Sequence, residues 1–310
     1  MKITAKTFIF NTLLTIVLFA ISNYSFGQNL RADYDTINKK RLNAVIITYS
    51  GLYAATLTTL YFGWYKDTPL TNFHFINDMQ ADLGIDKAGH ATTAYIMSFY
   101  GFNMLRWAGV NNNKSAIWGS VMGFGSMTVI EILDGFSAEY GASWPDLIAN
   151  GLGAGMFLGQ QLGWKEQRIQ LKFSYHPTKF AQYNPELLGQ NGLQRMLKDY
   201  NGHTYWLSAN IHSFLPEQSK FPKWINVAVG YGGTGIIGAW SNPGIINGQP
   251  VPHFDRIRQY YISMDLDWTR IKTNSKFLKV SFKILSLFKI PFPTIEFNDR
   301  DGFVFHPIYM

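Results

Sequence analysis

Three pairs of polar residues occur at helical spacing within apolar, glycine-rich sequence. The pairs, whose members are three or four residues apart, are Asp86 and His90, Glu131 and Asp134, and Asp146 and Asn150. Residues at these separations share one face of a helix. Isolated carboxylates are costly to bury, and they persist in apolar segments when they pair with each other, with a cation or with a histidine. We therefore expect the three pairs to converge in one polar site.

Two kinds of chemistry fit such a site. His90 could serve as a general base or a metal ligand, with Glu131 and Asp146 as its partners. One imidazole with several carboxylates suits zinc, manganese or iron, so a divalent metal is a candidate cofactor. Ion pairing through Lys87 is the alternative, and the sequence decides neither the cofactor nor whether the protein is an enzyme. The expected cluster comprises Asp86, Lys87, His90, Glu131, Asp134, Ser143, Asp146 and Asn150.

Each polar residue also has a purely local interpretation. Asp86 follows Gly84 at the predicted start of a helix, where an aspartate is a common N-cap. Ser143 and Asp146 have the spacing of a capping box, with Ser143 as the cap and Asp146 reaching back. His90 alone could be a hydrogen-bonded core histidine. Local capping and a shared site are thus the two hypotheses that a structure must distinguish.

Four long apolar segments must position these residues. We predict helices over residues 41–65, 86–107, 114–140 and 144–164, each long enough to cross a bilayer at about 20 residues per span. Glycines four apart give a smooth helix face that another backbone can approach. The expected packing glycines are Gly119, Gly123, Gly151, Gly155 and Gly159. Burial in a membrane and burial inside a soluble helical domain both fit this pattern.

The second half of the chain predicts antiparallel β structure. In residues 258–270, apolar side chains such as Ile262 and Met264 alternate with polar ones such as Ser263 and Asp265, and a period of two indicates a strand. About six strands can be counted, whereas a small outer-membrane barrel needs eight. A half-buried sheet packed on the helices and a barrel are both open, and residues 275–289 fit either a basic helix or a strand. The expected fold is α+β, with an N-terminal bundle of about four helices followed by an antiparallel β region.

The start of the chain predicts export. Lys2 and Lys6 precede an apolar run over residues 8–21, and small residues at Ser25 and Gly27 suit cleavage after Gly27. The predicted organisation is therefore a signal peptide at 1–27, a helical domain at 28–164 and a β-rich region at 165–310.

Amino-acid composition narrows the range of environments and partners that fit the protein. Charged residues make up only 15% of the sequence and aromatic residues 16%. A soluble domain usually has about 25% charged residues, so the low share favours lipid contact or an unusually apolar core. The net charge of +7 comes without a basic stripe or a nucleic-acid motif, so we expect no nucleic-acid partner.

The polar residues occur in an order that resembles a known family. The string contains Asp86, Lys87 and His90, then Glu131 and Asp134, then Ser143, Asp146, Asn150 and Gly153. It resembles the YfiM-like family of predicted periplasmic lipoproteins, whose function is unknown, and its motifs are similar to those of the VanZ-like membrane family. The resemblance covers residues 86–164 and implies an envelope protein facing the periplasm, without implying a reaction. This sequence has no cysteine to carry a lipid, so tethering would come from apolar helices or the sheet.

The expected function is that of a membrane-associated, non-enzymatic envelope protein, with the outer membrane favoured over the inner. Its cluster would order the helices or bind a cation or a lipid headgroup, and its partners would be membrane lipid or envelope components. The alternative is a membrane-associated hydrolase or transferase acting on lipid or cell-wall precursors.

Overall fold

A computed structural model describes residues 36–66 and 68–310. The predicted signal peptide, residues 1–27, lies outside the described residues. Within them, the chain is a mixed α and β protein with seven helices and a six-stranded antiparallel sheet. It divides into two compact units. The helical unit contains the described chain up to Asn77, Thr93–Glu166 and Thr273–Val280, and the β-rich unit contains Asp78–Thr92, Gln167–Lys272 and Ser281–Met310.

Four long helices occur where the apolar segments predict them. They are α1 (Lys39–Leu60, continued by a π-helical turn at Tyr61–Tyr65), α2 (Ile85–Trp107), α3 (Asn112–Gly135) and α4 (Trp144–Gly163). Asparagine caps begin two of them, because the side chains of Asn38 and Asn111 accept backbone N–H groups three residues further on. The prediction that the third helix reaches residue 140 is wrong. The carbonyl groups of Gly135 and Phe136 accept hydrogen bonds from the loop before α2, which ends the helix there.

The polarity of α3 is the reverse of that in a soluble surface helix. Many of its large apolar side chains are exposed, while most of its buried residues are small, together with Met127 and the carboxylate Glu131. The exposed set includes Ile117, Trp118, Val121, Phe124 and Ile132. Among the described residues, this one helix has the length and apolar composition to cross a membrane.

Two of the predicted packing glycines lie against another helix. A Cβ added at Gly119 would lie 2.5 Å from the backbone nitrogen of Phe102 on α2, and one at Gly123 would lie 2.5 Å from the carbonyl oxygen of Ala94. Only glycine permits so close an approach of two backbones.

The same role does not fit the glycines of α4. A Cβ at Gly155 or Gly159 would have no heavy atom within 4 Å, and one at Gly151 would meet only the ring edge of Phe124, at 3.9 Å. These glycines lie on the exposed side of α4, whereas the buried side carries Asp146, Asn150 and Phe157. The expectation for Gly151, Gly155 and Gly159 is therefore corrected.

The β-rich unit is built on one antiparallel sheet. Its strands are β3 (Ile169–Tyr175), β4 (His203–Asn210), β5 (Ile225–Thr234), β8 (Ile257–Leu266), β9 (Phe292–Asn298) and β10 (Gly302–Tyr309), in the order β10-β9-β8-β5-β4-β3. Two short pairs complete the β structure: β1 (Phe75–Ile76) with β2 (Ala142–Ser143), and β6 (Ile245–Ile246) with β7 (Gln249–Pro250). The strand predicted over residues 258–270 corresponds to β8 as far as Leu266, and the prediction is wrong beyond it, because Trp268–Arg270 form a 3-10 turn.

The buried face of this sheet is the polar one. On β8, Ser263 and Asp265 are buried while Ile262 and Met264 are exposed. A sheet buried through an apolar face would show the opposite pattern. The period of two predicts that side chains alternate between the faces, but it does not predict which face is buried.

Three shorter helices lie in the connections: α5 (Pro185–Leu188), α6 (Gly192–Lys198) and α7 (Lys276–Leu285). The segment 275–289, for which helix and strand were both open, is thus mainly helix. Its end adds to the sheet, since the backbone of Phe173 on β3 bonds to Leu287 and Lys289.

Candidate functional site

A left-handed turn fixes the start of α2 in the β-rich unit. Asp82, Leu83 and Gly84 have φ values of 48°, 59° and 77°. Two consecutive non-glycine residues in this region are strained and need support from their surroundings. The Leu83 side chain packs against Ile236, and the hydroxyl group of Tyr231 donates a hydrogen bond to the Leu83 carbonyl oxygen. The turn therefore holds the first residues of α2 in a defined position.

Asp86 is the centre of a hydrogen-bonded network at this position. The Tyr200 hydroxyl group donates to Asp86 Oδ1 at 2.6 Å, and Lys87 Nζ donates to Asp86 Oδ2 at 3.1 Å. Lys87 also forms a salt bridge with Asp78, at 2.6 Å. Asp86 is the second residue of α2 and bonds outward to Tyr200, so it is not the N-cap that local reasoning expects.

His90 lies one turn further along the same helix face. Its Nε2 atom is 3.8 Å from Asp86 Oδ1, which is too long for a hydrogen bond but close enough for strong electrostatic interaction. Burial by itself would raise the pKa of the Asp86 carboxyl. The positive charges of His90 and Lys87 and the hydrogen bonds from Tyr200 and Lys87 outweigh burial and hold that pKa below its ordinary value. Asp86 is therefore a carboxylate anion facing an imidazole.

A second carboxyl group beside the network titrates near neutrality. Burial, and then the negative charge of Asp86, raise the pKa of Asp82 to about 7, against the opposing influence of Arg256 and Lys87. This part of the β-rich unit therefore gains negative charge as the pH rises through neutrality.

Gly89 makes room for an aromatic side chain from the sheet. A Cβ at Gly89 would lie 2.8 Å from the Tyr205 hydroxyl oxygen and 3.2 Å from its ring carbon Cζ. Tyr205 is in turn 3.2 Å from His203 Nδ1. The glycine within the Asp86–His90 segment thus has a packing role that its spacing did not reveal.

In the helical unit, Glu131 and Ser143 connect two helices. Ser143 is the N-cap of α4, because its hydroxyl oxygen accepts the Asp146 N–H group at 3.1 Å. The predicted capping box has Asp146 reaching back to Ser143. The Ser143 N–H group instead donates to Glu131 Oε2 on α3, at 2.9 Å. Glu131 therefore supplies the second half of the cap from a neighbouring helix.

The remaining residues of the expected cluster are either hydrogen-bonded or buried. Asp134 Oδ1 accepts a hydrogen bond from the Tyr65 hydroxyl group at 2.5 Å. Asp146 and Asn150 are both buried on α4. The structure thus places Asp86, Lys87 and His90 together in the β-rich unit, and Glu131, Ser143 and Asp146 together in the helical unit.

Sequence reasoning missed several members of the network around Asp86. Tyr200 and Tyr205 lie more than a hundred residues after Asp86 in the sequence, and no spacing rule connects them to it. Asp78 and Asp82 precede the helix in a turn that has no periodic pattern.

Comparison with known proteins gives one family. Residues 74–158 match the sequence model of a family described as "Predicted periplasmic lipoprotein (DUF2279)". No curated protein and no solved structure matches the chain. The matched segment contains the polar residues from Asp86 to Asn150 and ends before the sheet. The match supports an exported envelope protein, related through residues 74–158 to a periplasmic lipoprotein-like family.

Proposed function

We propose that the protein is a membrane-associated, non-enzymatic envelope protein whose Asp86–His90 pair binds a divalent cation and so orders the helices. One observation carries the proposal: an anionic carboxylate oxygen and an imidazole nitrogen face each other 3.8 Å apart on one helix face. Two ligand atoms that are each about 2.1 Å from one metal ion can lie at up to about this separation.

The surroundings of Asp86 suit a metal ligand. Carboxylates that bind metals are usually held by further hydrogen bonds, which fix their orientation. Tyr200 and Lys87 supply such bonds, one to each carboxylate oxygen. The negative charge of Asp86, which adds to burial in raising the pKa of Asp82, shows that a cation at this position would be favoured electrostatically.

The sequence hypothesis adds Asp146 as a further carboxylate ligand, and one imidazole with two carboxylates suits a divalent metal ion. In that hypothesis Glu131 and Ser143 fix the start of α4, the helix that carries Asp146 and Asn150. The same cluster could instead order the helices by ion pairing alone or hold a lipid headgroup, and these are the competing outcomes of the test.

Association with a membrane is supported by the outward apolar side chains. On α4, Trp144, Ile148 and Leu152 are exposed while Asp146 and Asn150 are buried, as on α3. Water disfavours this arrangement and hydrocarbon favours it. We place the protein at the periplasmic side of the envelope, with the outer membrane favoured over the inner, and membrane lipid as its main partner.

Elemental analysis of the purified full chain tests the cation. We expect about one divalent metal ion per chain, and we expect His90→Ala and Asp146→Asn to lose it while keeping the wild-type circular dichroism spectrum. His253→Ala is the matched control, because His253 is exposed and outside the cluster. Absence of metal from the wild type, together with no heat of binding when Zn²⁺ or Mn²⁺ is titrated into it, would refute the proposal.

A second candidate is a hydrolase or transferase acting on lipid or cell-wall precursors. The observation that favours it is the same pair, since a carboxylate beside a histidine orients it as a general base. In that case Glu131 and Asp146 would be the partners of His90. A folded His90→Ala variant that loses turnover of phospholipid or of a peptidoglycan precursor would favour this function, whereas an inactive wild type would exclude those substrates.

A further inference from the structure

One row of aliphatic and aromatic side chains crosses the whole outer face of the sheet. The register places directly paired residues of neighbouring strands side by side on one face. The row follows Leu171, Leu207, Val229, Ile262, Ile295 and Phe305, one residue from each strand. We call it the aliphatic row. It contains no polar side chain, and Ile262 is 49% exposed and Phe305 64% exposed.

A second row, two residues along each strand, is entirely aromatic. It follows Phe173, Tyr205, Tyr231, Tyr260, Phe297 and Phe303. We call it the aromatic row. Tyr205 and Tyr231 are partly covered by the turn at Leu83, whereas Phe303 is 79% exposed.

The inner face of the same strands is polar and supplies its own partners. Lys172 and Asp265 form a salt bridge of 2.6 Å, and both side chains are fully buried. Glu296 accepts a hydrogen bond from Gln259 at 2.7 Å and pairs with His306 at 2.7 Å. These charged groups are on the inner face, whereas the two rows present hydrocarbon and aromatic rings outward, which is the reverse of a sheet made for water. Arg258, beyond the aromatic row on β8, is an exposed charged residue of the outer face.

We propose that the outer face of the sheet lies against the hydrocarbon of a lipid bilayer, with the aliphatic row within the acyl chains and the aromatic row towards the headgroups. The inference rests on the membrane association proposed above and identifies the face that makes the contact. Aromatic side chains flank the apolar band of membrane β proteins in the same way.

Lipid suits this face better than a protein partner. The core of a protein interface mixes apolar area with hydrogen bonds that set the orientation of the partner. The aliphatic row has no polar side chain across six strands and so offers no such groups, whereas lipid chains need none. A second copy of the chain would bury the same residues, and the experiment below separates the two occupants.

Because the sequence contains no cysteine, one introduced cysteine gives one labelled site. We would place a spin label at Ile262→Cys and at Phe305→Cys in the full chain, reconstituted in vesicles of phosphatidylethanolamine and phosphatidylglycerol. Asp301→Cys, in the exposed turn after β9, is the control for water, and Ser263→Cys, on the inner face, is the control for protein burial. We expect oxygen to relax the labels at 262 and 305 several-fold more than a nickel chelate does, with the opposite order at 301.

Two results would overturn the proposal. If the nickel chelate reaches position 262 as readily as position 301, the face is in water. If neither reagent reaches it, as expected at 263, protein covers it. Flotation of the same vesicles separates this inference from the proposed function, since protein that floats with water-exposed labels refutes only the lipid-facing sheet, and protein that does not float refutes membrane association as well.

Discussion

The Tyr200 hydroxyl group lies 2.6 Å from Asp86 Oδ1 and joins the first turn of α2 to the segment before β4. A hydrogen bond to a buried carboxylate contributes about 1.5–3 kcal/mol to stability. We therefore expect Tyr200→Phe to lower the free energy of unfolding by that amount, measured by chemical denaturation in detergent solution. Tyr183→Phe is the control, because the Tyr183 ring packs on Phe254 and is not part of the network around Asp86. Equal losses of unfolding free energy in the two variants would show that the Tyr200 hydrogen bond contributes no more to stability than the Tyr183 hydroxyl group.

The close contact of Gly89 with Tyr205 predicts that a single methyl group disturbs the site. Gly89→Ala places a Cβ 2.8 Å from the Tyr205 hydroxyl oxygen, and overpacking of this kind costs about 1–3 kcal/mol. Gly155→Ala, where the added Cβ meets open space, should instead stabilise its helix by about 0.5–1 kcal/mol. Thermal melting of both variants measures the contrast. Recovery of stability in Gly89→Ala combined with Tyr205→Phe would assign the loss to this contact, and no loss in Gly89→Ala would contradict it.

The helices could be predicted because their signals are local. Apolar runs of about twenty residues and the capping residue Ser143 are visible in the sequence, and the structure begins α4 directly after that cap. The strands were equally visible through their period of two. Contacts such as the one between Asp86 and Tyr200 were not, because they join residues 114 positions apart.

The orientation of the sheet shows a second limit of sequence patterns. Alternation of Ile262 with Ser263 states that the two side chains point to opposite faces, and it is identical whether water or lipid lies outside. Whether water or lipid surrounds the sheet decides which face is buried, and a period of two residues carries no information about the surroundings. The same ambiguity led to the wrong expectation for the glycines of α4.

The buried pair of Lys172 and Asp265 predicts a clear double-mutant result. Removing one partner leaves an uncompensated charge, so Lys172→Met or Asp265→Leu alone should cost about 3–5 kcal/mol. The double variant should recover most of that loss, because both charges are then gone. Chemical denaturation of the four proteins measures the cycle. Additive losses would contradict a direct interaction between the two side chains.

The raised pKa of Asp82 predicts a dependence of stability on pH. The folded protein keeps this proton up to about pH 7, whereas the unfolded chain loses it near 3.8. The free energy of unfolding should therefore fall as the pH rises from about 4 to 7 and stay level above that. Asp82→Asn tolerates the left-handed backbone and should remove this fall, gaining on the order of 1–4 kcal/mol relative to the wild type between pH 4 and pH 8. Denaturation in the presence of a chelator measures it, with the exposed Asp301→Asn as control, and parallel pH profiles of wild type and Asp82→Asn would contradict the prediction.

Membrane association is the central claim, and density-gradient fractionation of cell envelopes followed by a carbonate wash tests it most directly. The outward apolar side chains predict that the protein stays with the membranes after the wash. The proposed location adds that more of it is in outer-membrane than in inner-membrane fractions. Recovery of the full-length protein in the soluble periplasmic fraction would contradict the claim.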